Sequence, residues 1–95
     1  MSDAKGYLGI AYRAKKVCSG ETLFKKFSHN EIKLVILAED IGENTKKKLL
    51  DKCAYYKVSY VFMDAQELSI VMGSRKAVGI MDKGLAQQLY TCLKG

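Results

Sequence analysis

The first third of the chain alternates between helical and extended patterns of apolar residues. A first helix is predicted by apolar positions that share one side of it: Tyr7, Leu8, Ile10, Ala11 and Ala14. The apolar pair Val17 and Cys18 predicts a brief strand. Ser19-Gly20 then breaks the pattern, and we expect Glu21 to begin a second helix that ends at His29-Asn30. The apolar side of this helix is formed by Leu23, Phe24 and Phe27.

The segment Leu34-Val-Ile-Leu-Ala38 is an uninterrupted apolar run with charged residues on both sides. Such a run is typical of a strand buried on both faces, in a sheet that is covered by helices. The polar segment 40–44 follows it and offers several N-cap residues for a third helix. The apolar side of that helix consists of Leu49, Leu50, Cys53 and Ala54.

The remaining sequence predicts two more strands, at residues 59–63 and 77–81, each followed by a helix. Asp64 and Glu67 have capping-box spacing at the start of the first of these helices, and Gly73 is expected to end it in the αL conformation. Asp82 is expected to cap the last helix. The apolar side of this helix is formed by Leu85, Ala86, Leu89, Tyr90 and Leu93. Because helices and strands alternate, the sequence predicts an α/β fold with a mixed or mostly parallel sheet of about four strands between helices. We take it to be a three-layer α/β/α sandwich with a four-stranded mixed sheet.

The composition fits one compact domain over residues 1–95, since two domains would need about twice that length. Hydrophobic residues make up 48% and charged residues 27%, which excludes a disordered or fibrous chain. The longest apolar run is far shorter than the roughly 20 residues that cross a bilayer. The N-terminus also lacks the apolar region of a signal peptide. We therefore expect a cytoplasmic protein.

Residues that could support catalysis or hold a metal are few. The three cysteines are far apart in the sequence and His29 is the single imidazole, so neither a zinc site nor a disulfide framework is expected. Glu39-Asp40 follows the central strand and could bind Mg²⁺, or Asp40 could cap the next helix. The glycine-rich phosphate motifs of nucleotide-binding enzymes do not occur. We expect no enzyme activity, no metal and no cofactor.

The charge balance indicates more about a binding partner than the overall composition does. Sixteen Lys and Arg against ten Asp and Glu give a net charge of +6, which favours a polyanionic partner without choosing between RNA, DNA and an anionic membrane. Three basic segments stand out, and each could also be ordinary solvated surface: Lys25-Lys26, Lys46-Lys47-Lys48 and Arg75-Lys76.

The start of the second helix has the residue types of an RNA contact. Gly20 allows close backbone approach, and a helix N-terminus offers free amide donors. Glu21 and Thr22 can hydrogen-bond base edges, while Lys25, one turn later, can reach a phosphate or a guanine acceptor. The alternative interpretation is that Ser19 simply caps the helix.

Four segments occur together, in order, in one family: Gly20-Glu-Thr-Leu-Phe-Lys25, Lys33-Leu-Val-Ile-Leu-Ala-Glu-Asp40, Asn44-Thr-Lys-Lys-Lys48 and Asp51-Lys-Cys-Ala-Tyr-Tyr56. The chain resembles the bacterial YlxQ-type family within the L7Ae/L30e superfamily of kink-turn-binding ribosomal proteins. The resemblance runs from about Tyr7 to Leu93 and is most specific between Leu34 and Tyr56.

This resemblance implies an RNA face made by three segments: the start of the second helix, the loop after Glu39-Asp40 and the loop before the last strand. The implied RNA-binding residues are Gly20, Glu21, Thr22, Lys25, Lys26, Asn44, Lys46, Gly73, Ser74, Arg75 and Lys76. Two differences from well-known relatives are visible. Glu21-Thr22 stands where they have Asn-Glu or Lys-Gln, and the loop after Gly73 is shorter.

The resulting hypothesis is a non-catalytic protein that recognises a kink-turn or similar bent internal loop in structured RNA, ribosomal RNA being the expected target. Proteins of this kind read exposed non-Watson-Crick pairs and extruded bases, because the grooves of an RNA duplex are poorly readable by side chains. No membrane or DNA partner is expected. The alternatives are a protein-interaction module on the same scaffold, which would show an exposed apolar patch, and a small Mg²⁺-dependent enzyme using Glu39 and Asp40.

Overall fold

The computed structural model describes residues 4–94, so residues 1–3, on which the signal-peptide expectation rests, lie outside it. Helices and strands alternate throughout this range. The helices are α1 (Ala4–Arg13), α2 (Gly20–Phe27), α3 (Glu43–Tyr56), α4 (Ala65–Met72) and α5 (Lys83–Lys94). The strands are β1 (Val17–Ser19), β2 (Leu34–Ala38), β3 (Ser59–Met63) and β4 (Ala77–Ile80).

The four strands form one mixed sheet in the order β1-β4-β2-β3. β4 lies antiparallel to both β1 and β2, whereas β2 and β3 are parallel. The predicted mixed sheet is therefore confirmed.

Every residue of β2 is buried, as its apolar run predicts. Leu34, Ile36 and Ala38 belong to one core cluster, with residues of α1, α4 and α5, while Val35 and Leu37 belong to a second cluster with residues of α2 and α3. This alternation follows from the two-residue period of a strand. It places three helices on one face of the sheet and two on the other, which confirms the three-layer sandwich.

The predicted helix caps are correct at two positions. The Asp64 carboxylate accepts hydrogen bonds from the amides of Gln66 and Glu67, at 2.9 and 3.2 Å, and Asp82 accepts from the amide of Leu85 at 2.8 Å. The prediction for Gly73 is wrong in detail. It ends α4 with a positive φ of 70°, but its ψ of −131° lies outside the αL region, so the chain leaves the helix in a more extended direction.

Three residues of the predicted apolar sides are exposed: Ile10, Ala14 and Ala54. The buried side of α1 is the line Ala4, Leu8 and Ala11, and α1 ends at Arg13, before Ala14. The second helix also ends earlier than predicted, at Phe27, because the backbone turns there through Ser28. In α1 and α3 the buried side of the helix is therefore narrower than the apolar pattern, whereas α2 ends at Phe27, the last residue of its apolar side.

Gly79, in β4, is the point where α2 packs against the sheet. A Cβ atom on Gly79 would lie 2.5 Å from Cδ1 of Leu23, 3.0 Å from Cδ1 of Ile32 and 3.3 Å from Sγ of Cys18. The absence of a side chain therefore lets α2 lie close to the strand, which fixes the position of the residues at its N-terminus.

Candidate nucleic-acid interface

Sheet topology brings three of the loops to one end of the molecule. Ser19, the last residue of β1, pairs with Val78 near the start of β4, and Leu37 near the end of β2 pairs with Ala77. The start of α2, the loop after β2 and the loop before β4 consequently lie side by side. These are the three segments that the family resemblance implies for the RNA face.

A shallow cavity of about 210 Å³ lies among these segments. Gly20 and Phe24 contribute from α2, Thr45 contributes from α3, and residues 74–77 contribute from the loop before β4 and its first residue. The buried Leu23 and Leu49 complete the lining. The cavity combines an apolar interior with two cations, Arg75 and Lys76, a combination suited to a nucleobase with its phosphate.

Gly20 and Arg75 are neighbours across this cavity. A Cβ atom built on Gly20 would lie 3.8 Å from Nη1 of Arg75. Gly20 has a φ of 62°, a left-handed conformation that favours glycine. The guanidinium therefore stands directly beside the backbone of the first residue of α2.

The start of α2 is not capped by a side chain. Ser19 occupies the N-cap position in an extended conformation, as the alternative interpretation expects, but its hydroxyl makes no capping hydrogen bond. The first amides of an uncapped helix remain available to an external acceptor. Glu21 and Thr22 follow in the first turn and both are exposed.

Asp40 joins the loop after β2 to the loop before β4. Its Oδ2 lies 3.0 Å from Nζ of Lys76, and the Ala38 amide donates to the Lys76 carbonyl oxygen at 2.8 Å. Asp40 does not cap α3, whose N-cap is Gly42. No group of three or more metal-ligating side chains occurs within residues 4–94, so Glu39 and Asp40 have no further partners for a Mg²⁺ site there.

The predicted site residues fall into three groups. The cavity is lined by Gly20, Ser74, Arg75 and Lys76. Exposed positions in the adjoining segments are held by Glu21, Thr22, Lys25, Asn44 and Gly73. The remaining two cations are half-buried: Lys26 pairs with Glu31 at 3.3 Å, and Nζ of Lys46 lies 5.4 Å from the centroid of the Phe62 ring.

Two cavity residues, Phe24 and Thr45, are not among the predicted site residues. Phe24 follows Gly20 by four positions, which places both on one side of α2, and this spacing was the available signal. Thr45 carries no such signal, because its position depends on how α3 packs beside α2.

Fold and site together define a small α/β/α domain with cationic loops gathered at one end of the sheet. Among families with this architecture, the chain belongs to the ribosomal protein L7Ae/L30e/S12e/Gadd45 family, whose model matches residues 2–90. It is 43% identical over 90 residues to the RNA-binding protein YlxQ of Bacillus subtilis, covering 90% of both chains. It is 38% identical to the RNA-binding protein YlxQ of Enterococcus faecium, covering 97% of this chain and 92% of the relative.

Solved structures share the fold. A protein of unknown function from Bacillus halodurans superposes with a TM-score of 0.91 at 32% identity, over the whole of both chains. The Giardia lamblia 15.5kD RNA binding protein superposes with a TM-score of 0.74 at 17% identity, over 97% of this chain and 82% of that one. The second likeness shows the fold alone.

The comparisons confirm the expectation of a non-enzymatic protein, since the family and both curated relatives are named as ribosomal or RNA-binding proteins and not as enzymes. Within the described residues, none of the helices combines the length and the apolar character that a membrane span requires.

Proposed function

We propose that this protein binds structured RNA and that its site recognises a kink-turn or a similar bent internal loop, with ribosomal RNA as the target and a ribosome-associated, cytoplasmic location. The observation that carries the proposal is the meeting of Gly20, Thr45 and residues 74–76 around one cavity. Family membership and the names of the two curated relatives support RNA as the partner.

The chemistry of the site fits a distorted RNA backbone. The uncapped start of α2 and the Arg75 guanidinium provide donors for phosphate oxygens next to Gly20. Exposed Glu21 and Thr22 provide an acceptor and a hydroxyl for the edges of sheared G·A pairs. An extruded nucleotide would lie beside the loop of Gly73 to Lys76.

The test is a titration with a kink-turn duplex and a straight duplex of the same length. We expect tighter binding to the kink-turn. We also expect a slope of log affinity against log salt of roughly −2 to −4, because each phosphate contact contributes a little under one unit. Equal affinity for both RNAs would overturn the kink-turn proposal, and a flat salt response would overturn RNA binding itself.

A second candidate function is the docking of an acidic protein segment on the layer of α1, α4 and α5, which covers the face of the sheet opposite to α2 and α3. Tyr12 on α1 and Ile70 on α4 line one groove and are 55% and 69% exposed, and Lys5 and Arg13 lie at the same groove. This is the exposed apolar patch that the protein-interaction hypothesis requires. Charge-reversing Lys5→Glu and Arg13→Glu substitutions should abolish binding of an acidic partner and change kink-turn affinity far less than substitution of Arg75.

A further inference from the structure

A second, larger crevice runs between the outer sides of α2 and α3. It has a volume of about 600 Å³ and is lined by Phe24, Lys48, Asp51, Lys52, Tyr55 and Tyr56. Neither the proposed kink-turn contacts nor the packing of the core uses its exposed residues. Three aromatic rings and two ammonium groups thus line an open surface.

Tyr55 presents a pre-positioned aromatic ring to solvent. It is 78% exposed, and its ring meets Tyr56 edge-on, with the centroids 4.8 Å apart. Tyr56 in turn stacks on the buried Phe27 at 5.8 Å. The core thus anchors Tyr56, and Tyr55 adds an exposed ring with only two side-chain torsions, so it loses little conformational entropy when a planar ligand stacks on it.

The cations beside Tyr55 are available to an anion. Lys48 and Lys52 lie one turn apart on α3, and Nζ of Lys52 is 5.9 Å from the centroid of the Tyr56 ring. Neither ammonium takes part in an ion pair within residues 4–94. Asp51 is the one carboxylate of the lining. Aromatic rings interleaved with free lysines are what single-stranded nucleic acid requires, since bases stack and phosphates pair with the ammonium groups.

The crevice continues from the cavity at the end of the sheet, because Phe24 lines both. Thr45 of the cavity and Tyr55 of the crevice are ten residues apart on α3, which corresponds to about 15 Å along the helix axis. A strand leaving an RNA bound at the cavity would therefore reach the crevice directly.

We propose that the crevice between α2 and α3 binds single-stranded RNA that flanks the structured loop, with a base stacked on Tyr55 and phosphates at Lys48 and Lys52. This inference rests on the proposed function. A protein surface would also accept exposed tyrosines, but the free lysines and the continuity with the cavity favour RNA.

The experiment compares a blunt kink-turn duplex with four versions of it, each extended at a different strand end by about eight unpaired uridines, within the usual site size of such grooves. We expect at least one extension to tighten binding about fivefold or more. A fivefold gain is about the lower end of what one base stacked on an aromatic ring contributes to affinity. Tyr55→Ala should remove this gain, whereas Tyr55→Phe should retain it.

Tyr60→Ala is the matched control, since Tyr60 is an exposed tyrosine on β3 that does not line the crevice, and it should leave the gain intact. Lys48→Gln and Lys52→Gln should lower the salt dependence of the extended RNA more than that of the blunt one. If the blunt duplex binds but no extension helps, or if the gain survives Tyr55→Ala, the inference fails while the proposed function stands. Failure of every RNA to bind would overturn both.

Discussion

Nζ of Lys76 lies 3.0 Å from Oδ2 of Asp40, and this ion pair joins two loops that are 36 residues apart in the sequence. Both side chains are about half exposed, so the pair contributes at most about 1 kcal/mol to stability. Its larger effect is on the charge of the site. Asp40 partly neutralises Lys76, which leaves Arg75, beside Gly20, as the cavity cation without a carboxylate partner in the described structure.

Asp40→Asn should strengthen RNA binding. The substitution frees the Lys76 ammonium for a phosphate and removes a negative charge from the interface. The salt slope should therefore become steeper by about one unit, since one contact is gained, while the thermal midpoint changes little. Filter binding at several salt concentrations measures the affinity and its salt slope, and thermal unfolding measures the midpoint. Weaker binding by Asp40→Asn would instead show that the ion pair holds Lys76 in its productive position.

Glu21→Ala should weaken kink-turn binding by about 1 to 3 kcal/mol and binding to a straight duplex much less, because the lost contact is to a specific base edge. Glu21 also complements the dipole of α2, an effect of about 0.3 to 1 kcal/mol on stability. Glu67→Ala is a suitable control, since Glu67 stands in the first turn of α4. A lower melting temperature with unchanged kink-turn affinity for Glu21→Ala would make Glu21 a structural residue and leave Thr22 as the base-reading side chain.

Two adjacent lysines of α2, Lys25 and Lys26, should differ in their contribution to RNA affinity. Lys25 is exposed, whereas Lys26 is partly buried and paired with Glu31. Lys25→Ala should weaken binding to every RNA and reduce the salt slope by about one. Lys26→Ala should have a smaller effect, although the sequence assigned both residues to the interface. Salt titrations of the two variants decide this, and equal losses would place Lys26 on the RNA as well.

Gly79→Ala should destabilise the protein by about 1 to 3 kcal/mol, the usual effect of overpacking a core. The added methyl group would collide with Leu23 and Ile32, both of which are buried. Gly6→Ala is the control: Gly6 lies in α1 with open space around it, so the substitution should be neutral or stabilising. Urea unfolding of the two variants measures the difference, and equal midpoints would contradict the close packing of α2 on β4.

Stability should fall between about pH 9 and 11 through Cys53. Burial raises the pKa of the Cys53 thiol from 9.0 to about 11, because the thiolate is poorly solvated in the core. The folded state thus favours the protonated thiol. Its contribution to the free energy of unfolding is complete below pH 9 and is lost as the pH rises through 11. The loss should be roughly 2 to 3 kcal/mol.

The measurement for Cys53 is the free energy of unfolding against pH, compared between the natural sequence and Cys53→Ala. The other ionising groups are common to both proteins, so a shallower alkaline decline is expected for the variant. Parallel curves would show that Cys53 does not carry the effect.

Local sequence determined the type and order of the elements, because the period of apolar residues reflects which side of a helix or strand is buried. The five apolar residues of β2 predict burial on both faces, and Asp64 and Asp82 predict helix starts within one turn of themselves. Even so, Ile10 extends the apolar pattern of α1 beyond the part that meets the core. The pattern shows amphipathicity but not the width of the surface that the sheet can cover.

Which loops meet depends on strand pairing between distant parts of the chain. β4 is inserted between β1 and β2, and this non-local pairing brings Arg75 beside Gly20 and Lys76 beside Asp40. The packing of α2 against Gly79 then sets the distance between α2 and the loop before β4. Such contacts join residues far apart in the chain, and their geometry depends on strand order and register, which no local periodicity specifies.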